Sequence, residues 1–380
     1  MRLYRLDEHT NLEALFNKIG VTHEGSVIMR QKSKINLLYI EGIKSPAANI
    51  LKQDALSIGA DLAVPKDTIT CKDATVDAIL MATDAQLRVL SKKEKVQPFG
   101  LKTFADKITS FLMLPDSKVS IMGVVNTNKD SFYKNSRFSK EQALLHVEKM
   151  IEDGADIVDI GGVSSRPGSV AISQEEELAR IQDVVDAIYA KKLYEKAQFS
   201  LDSYSPLCLR YALERGFSIV NDITALENDE VAKIVSLFDA TVVLMHKKGL
   251  PQTMQESPKY DNVILEVDDF FTNRIEKAKS FGIKKMILDT GIGFGKTLEH
   301  NLLLIKHHAH FLHFGYPLLM GASRKSLIDK IYPCDVKDRL AGTLAIHLRA
   351  VENGASIIRV HDVKEHAQAL HVAQAINKIF

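Results

Sequence analysis

From about Val119 onward the chain repeats one pattern: a short, nearly unbroken apolar run, a polar loop, then a longer stretch whose apolar positions recur every three or four residues. The apolar runs predict strands at Val119–Val125, Asp156–Ile160, Phe199–Leu201, Ile219–Val220, Thr241–Met245, Met286–Leu288, Pro317–Met320 and Ile357–Val360. The periodic stretches predict helices between them, among them Lys140–Asp153, Gln174–Lys191, Ser205–Arg215, Val263–Phe281 and Asp338–Asn353. Gly154, Gly216, Gly282 and Gly354 stand just before strands, where a helix ends in a left-handed cap. Ser173 followed by Glu176 reads as a capping box at the start of a helix. Strands this apolar suit a parallel sheet covered on both faces. Eight near-equal units favour closure into a (β/α)8 TIM barrel over a doubly wound open sheet.

Residues 1–116 follow another pattern. Strands are expected at Ser26–Arg30, Ile35–Ile40 and Ala78–Met81, and helices at Pro46–Ile58, Thr83–Leu90 and Thr103–Phe111. This is a small α/β N-terminal extension, joined through Leu114-Pro115-Asp116-Ser117 to a barrel over residues 117–380. No chemistry is legible in it, and its run Lys92-Lys93-Glu94-Lys95 reads as a solvated helix end.

Composition narrows the function. Of 380 residues 46% are hydrophobic, and 49 basic against 48 acidic residues leave a net charge of +1. No global field therefore points to nucleic acid, and any anion site must be built by particular residues. No apolar run approaches a membrane span, and the N-terminal stretch has no leader-like apolar segment. Cys71, Cys208 and Cys334 form neither a disulfide framework nor a zinc spacing, so a reducing, cytoplasmic setting is expected.

In a TIM barrel the active site lies at the carboxyl ends of the strands. Taken in order, those ends offer Asn126, Asp159, Asp202 with Ser203, Asn221 with Asp222, His246, Asp289, Ser323-Arg324-Lys325-Ser326, and Arg359 with His361-Asp362. A single such residue is often only a helix cap; eight in a row point to a site. The loop Asp289–Thr297 ends in Gly-Lys-Thr but has Thr290 where a P-loop needs glycine. Its alternating Gly291, Gly293 and Gly295 suggest instead a backbone passing close to a flat ligand, with Phe294 stacking or packing nearby. His300, His307, His308, His310 and His313 have a spacing that metals use, but they fall on an outer helix, where a solvated or packed face is expected.

Taken together, the chain from Val119 to its end resembles the dihydropteroate synthase family. The carriers are Ile121–Asn126 with Asp130-Ser-Phe132; Gly154–Gly162 with Ser165-Arg166-Pro167-Gly168; Asp202; Asn221-Asp222-Ile223; Leu244-Met-His246 with Thr253-Met-Gln255; Ile287-Leu-Asp289 through Lys296; Ser323–Ser326; and Arg359–Val363. The resemblance implies condensation of a dihydropterin pyrophosphate with p-aminobenzoate. Asp202, Asn221, Asp289, Phe294 and Lys325 would hold the pterin, with Asp202, Asp289 and Lys325 catalytic. Asn126, through a bound Mg2+, and Arg359 with His361 would take the pyrophosphate. Phe132, Ser165, Arg166, Pro167 and Ser326 would hold p-aminobenzoate. A homodimer is also implied. The first loop departs from the family pattern at Asn128-Lys129, with Tyr133-Lys134-Asn135-Ser136 replacing an acidic stretch; Val163, Ser165, Thr290 and Lys247 are further departures. A pterin-dependent methyltransferase or a non-catalytic pterin-binding protein would share the pterin readers. The methyltransferase would not need Ser323–Ser326 or Arg359–His361.

Overall fold

The computed structural model describes the chain except residues 2, 5, 7–9, 113–117, 128–135, 164–171, 250–257 and 379–380, and the side chains of 136–140 and 378. It divides into two compact units, one of Met1–Leu114 with His313–Gly315 and Val372–Phe380, the other of Pro115–Leu312 with Tyr316–His371.

The first unit runs α1 (Leu12–Lys18), α2 (His23–Arg30), β1 (Ile35–Lys44), α3 (Ser45–Leu56), β2 (Asp61–Ala63), β3 (Thr75–Thr83), α4 (Asp84–Glu94) and α5 (Leu101–Phe111). Its three strands form an antiparallel sheet in the order β1-β3-β2. Strict alternation along β3 sends Val76, Ala78, Leu80 and Ala82 inward, where Ala78, Leu80 and Ala82 share a core with Leu51, Leu62, Leu87, Leu90, Leu101 and Ile108.

Two expectations fail in this unit. Ser26–Arg30 is not a strand but part of α2, because Thr22 accepts a hydrogen bond from the Gly25 amide and caps a helix there. Val27-Ile28-Met29 is an unbroken apolar run, which carries no period of its own. The third residue of the run at 92–95 is not solvated: Glu94 is 0% exposed. Burial, with Asp54 next in effect, pushes its carboxyl up to about 7.

The second unit alternates strand and helix: β4 (Ser120–Asn126), α6 (Ser136–Glu152), β5 (Ile157–Gly161), α7 (Gln174–Ala190), β6 (Gln198–Asp202), α8 (Pro206–Leu213), β7 (Ile219–Asp222), α9 (Asp229–Leu237), β8 (Thr241–Met245), α10 (Val263–Ser280), β9 (Met286–Asp289), α11 (Leu298–Lys306), β10 (Leu318–Met320), α12 (Ser326–Ile331), α13 (Leu340–Glu352), β11 (Ile357–Val360) and α14 (Val363–Lys378). The eight strands β4–β11 pair in parallel and close into a barrel, with β11 returning to β4. The four glycines expected to end helices have φ of +106°, +84°, +80° and +86°. The capping box at α7 is half formed. Ser173 accepts from the Glu176 amide, but the Glu176 carboxylate turns to Arg180 at 2.7 Å.

Strand periodicity sets the site. One interior layer is apolar and consists of Met122, Ile157, Ile219, Val243, Ile287, Leu319 and Ile357. Side chains two residues apart share a face of the strand. The next layer towards the carboxyl ends therefore holds Asp159 on β5, Asn221 on β7, Asp289 on β9 and Arg359 on β11, joined by Asp202 on β6.

Candidate active site

Four residues of the polar layer, Asp159, Asp202, Asn221 and Arg359, form a single bonded array. Arg359 donates from Nη2 to Asp159 Oδ2 at 2.6 Å and to Asp202 Oδ2 at 2.8 Å, and from Nε to Asp159 Oδ2 at 2.7 Å. Asn221 Nδ2 donates to the same Asp159 oxygen at 3.0 Å. Asp159 is fully buried, and its other oxygen, Oδ1, has no partner among the described residues. A buried carboxylate oxygen without a partner suits a site that still has a donor to receive. Burial raises the Asp202 carboxyl, Arg359 pulls it back, and Asp159, Glu177 and Asp222 push it up again. The carboxylates around it hold the Arg359 guanidinium firmly charged against the burial that opposes it.

The second half of the site is the loop after β9. Asp289 accepts from the Gly291 amide at 2.8 Å, and burial raises its carboxyl while Lys325 opposes that. Lys325 donates to the Ile292 carbonyl, and its ammonium lies 4.4 Å from the centre of the Phe294 ring. Burial pushes the lysine down to about 8, with Asp289 pulling the other way. The alternating glycines have a different reason from the one expected. A Cβ at Gly291 would lie 1.9 Å from the His246 carbonyl oxygen, and one at Gly295 would lie 2.1 Å from that of Lys248. Two of the three glycines thus let the loop press on the backbone after β8. Only Gly293, whose Cβ would meet Lys325 at 3.2 Å, faces the site.

Lys296 fastens this loop. It is 2% exposed and donates to the carbonyls of His246, Gly291 and Phe294 at 3.2, 2.9 and 3.0 Å. Burial holds its pKa well below the ordinary lysine range. Sequence reasoning assigned it no role. Its only signal was position, in a run that mimics a P-loop.

The remaining predicted residues fall as follows. Asn126 ends β4, half-buried; a Cβ at Gly161 would lie 3.7 Å from Asn126 Oδ1 and 3.6 Å from Asp202 Cβ, so both flank the end of β5. His361 pairs through Nδ1 with Ser323 Oγ at 2.9 Å. Arg324 grips Asp362 with two bonds of 2.6 and 2.8 Å. Ser326 is exposed at the first position of α12, a helix of six residues. Phe132, Ser165, Arg166 and Pro167 lie outside the described residues. Asp159, named as a rim residue but given no role from the sequence, proves to be the acceptor shared by Asn221 and Arg359. Asp222 faces inward on its own turn, accepting from Thr224 and the Leu226 amide. His246 sits edge-on to Phe270, and burial drives its ring down to about 2, so it stays neutral. Of the outer histidines, His300 completes a capping box with Thr297, His308 is fully buried, and His310 contacts Asp268 at 2.9 Å.

Comparison with known proteins matches residues 122–361 to the family described as pterin binding enzyme. A Helicobacter pylori protein named bifunctional dihydropteroate synthase/dihydropteroate reductase is 41% identical over 97% of this chain and 98% of its own. The Escherichia coli dihydropteroate synthase is 42% identical over 67% of this chain and 90% of its own. Among solved structures, a Xanthomonas albilineans dihydropteroate synthase with 4-aminobenzoic acid superposes with a TM-score of 0.64, at 36% identity over 69% of this chain and 94% of that one.

Proposed function

Because the chain belongs to the pterin binding enzymes, with dihydropteroate synthases matching it across the barrel, we infer that it is a transferase joining 6-hydroxymethyl-7,8-dihydropterin pyrophosphate to p-aminobenzoate in folate biosynthesis. The observation that carries the site assignment is the buried array of Asp159, Asp202, Asn221 and Asp289 around Arg359 and Lys325. A pterin presents amino and ring N–H donors beside one carbonyl. Buried carboxylates and an amide match that edge, and a ligand lacking those donors would leave them unpaired at a cost of roughly 1–3 kcal/mol each.

Each residue then has a task. Asp202, Asn221 and Asp289 read the pterin edge, and Phe294 covers its face beside Lys325. Lys325 donates to the pterin carbonyl or ring nitrogen, exchanging its present bond to Ile292. The methylene carbon of the pterin loses pyrophosphate and gains the arylamine nitrogen, which then sheds a proton. Carboxylates near the ring favour the cationic carbon, and Arg359 and His361 take the departing negative charge. No protein nucleophile is required. Asn126 offers one neutral oxygen beside the end of β5. A hard cation that keeps its waters and borrows phosphate oxygens fits so sparse a donor set. Mg2+ held there would neutralise charge on the leaving pyrophosphate. Ser326 can meet the p-aminobenzoate carboxylate with its hydroxyl. Phe132, Ser165, Arg166 and Pro167 complete that pocket in this reading. A homodimer belongs to the same proposal, as does the reducing cytoplasm, which three unpaired cysteines suit.

Pyrophosphate release by the purified chain with Mg2+, dihydropterin pyrophosphate and p-aminobenzoate tests this. Release that depends on p-aminobenzoate, with dihydropteroate in equal amount, is expected. Pterin binding without p-aminobenzoate-dependent release would overturn the reading.

One observation favours a second activity. The Helicobacter pylori relative matches the N-terminal unit as well as the barrel, whereas the Escherichia coli relative covers only 67% of the chain. We propose that this chain also reduces dihydropteroate, adding a hydride and a proton across the C=N bond of the dihydropterin at the expense of a reduced nicotinamide or flavin. Consumption of either donor that depends on dihydropteroate would support it. Inertness with both donor classes would refute it.

A further inference from the structure

Two buried histidines stand outside the strand-end array: His347 on α13 and His366 on α14, each 1% exposed. The Ala322 amide donates to His347 Nε2 at 3.2 Å. His347 Nδ1 and His366 Nε2 are 2.9 Å apart, and His366 Nδ1 is 2.6 Å from the Asp362 carbonyl oxygen.

The two ends fix every proton between them. An amide N–H only donates, so His347 Nε2 is bare. A carbonyl oxygen only accepts, so His366 Nδ1 carries a proton. A neutral ring has one proton. His347 must then carry its proton on Nδ1 and donate it to the bare Nε2 of His366. All three contacts are satisfied by this one assignment. A further proton on either ring would set two N–H groups against each other.

What the chain of bonds connects gives it a purpose. Ala322 precedes the Ser323-Arg324-Lys325 turn, and Asp362 follows His361. Thr343, one helical turn before His347, accepts from the Arg324 amide at 3.0 Å. One face of α13 thus grips the amides of 322 and 324, and the residue between that grip and α12 is Lys325. The turn needs such a hold because Arg324 has φ of +55°, in the left-handed region. Across the gap, the Asp362 carboxylate takes the Arg324 guanidinium.

We propose that His347 and His366 form a one-way hydrogen-bond relay that ties the β10 loop to the β11 loop, and that His347 is a positioning residue for Lys325 and His361. Burial keeps both rings neutral. It pushes His347 to about 3, helped by His366, Lys325 and His361, and lowers His366 against the pull of Asp362 and Glu365.

Long-range proton–nitrogen NMR of the full chain labelled at histidine tests this, with His347→Gln and His366→Asn used for assignment. Two rings protonated on Nδ1, the less common neutral form, and unchanged from about pH 5 to about pH 8, are expected. Either ring protonated on Nε2, or titrating in that range, would overturn the relay. In turnover, His347→Leu should lower kcat/KM for dihydropterin pyrophosphate about tenfold, while His347→Gln, which can accept from Ala322 and donate onward, stays within about threefold. Adding His366→Leu to His347→Leu should cost nothing more, as residues acting as one unit are not additive. An unchanged kcat/KM in His347→Leu, or additive losses, would overturn the positioning role. If His347→Leu does not fold, the tautomers of the unaltered chain and the His347→Gln rate decide. The turnover arm rests on the synthase reading and the tautomer arm does not. A relay present in a chain without p-aminobenzoate-dependent turnover would sink that reading alone.

Discussion

Replacing Arg359 with methionine should weaken the barrel in a pH-dependent way. The guanidinium is the cation shared by two buried carboxylates, at 2.6 Å from Asp159 and 2.8 Å from Asp202, with only 23% of its side chain exposed. At an effective dielectric constant of about 20 and charge centres about 4 Å apart, each pairing has a Coulomb energy of about 4 kcal/mol. Desolvation of the three groups offsets most of that sum. What the variant loses is compensation, since two carboxylates then face each other in the barrel mouth. Leaving buried charge without its partner costs about 3–5 kcal/mol. The pH sign follows from Asp202. Burial already raises its folded pKa and Arg359 is the first influence opposing the rise, so the variant raises it further. A carboxyl with a raised folded pKa contributes stability at low pH that is lost as pH rises through that value. The deficit against the parent should therefore be larger at pH 8 than at pH 5.5. Urea unfolding of the barrel, followed at both values, measures it. Asp159→Asn added to the variant should recover part of the loss at pH 8. A deficit below about 1 kcal/mol, or one equal at both pH values, would refute the claim that Arg359 compensates this pair.

Other predictions follow from the same geometry. Lys325→Met should lower kcat/KM about 10- to 100-fold, the usual effect of removing a charged donor from a buried carbonyl or ring nitrogen. Since burial pushes the Lys325 ammonium down to about 8, kcat/KM of the parent should fall as pH rises through that value, and Lys325→Arg should move the fall to higher pH. Gly291→Ala should abolish pterin binding by calorimetry, because its Cβ would lie 1.9 Å from a carbonyl oxygen; Gly282→Ala, at φ +80° with its nearest neighbour at 3.6 Å, should cost only about 1 kcal/mol. Glu94→Gln should remove a pH dependence of the N-terminal unit. The parent carboxyl, raised to about 7, favours the folded state at low pH, and that stability fades as pH passes 7, which thermal melts at several pH values would show.

The barrel was legible because its strands are apolar runs punctuated by glycine and its helices are periodic, so local signals and tertiary burial agree. All eight strands lie where the pattern put them, with most shifts confined to ends such as Ile219–Val220, which extends to Asp222. The N-terminal unit was less legible. β2 is three residues long with one buried position, too short for any period, and α2 hides behind an apolar run. In the site, residue types at strand ends pointed to Asp202, Asn221, Asp289 and Lys325. Asp159 and Lys296 kept their roles hidden. Each is defined by what it bonds across the barrel or across a loop, and a linear spacing does not encode such a partner. The same holds for His347 and His366, which lie on helix faces that otherwise read as core.

The bonded layer at the strand ends also limits how this enzyme can change over evolutionary time. Asp159, Asp202, Asn221 and Arg359 bond one another across four different strands while also forming the candidate pocket. A substitution there that altered ligand choice would be felt at once in the cohesion of the barrel mouth. Selection for a new ligand, or for escape from an inhibitor, would meet little such resistance at Phe294 or Ser326, which hold no strand. Adaptive variants that survive should therefore accumulate around the pocket's margin and leave its floor untouched.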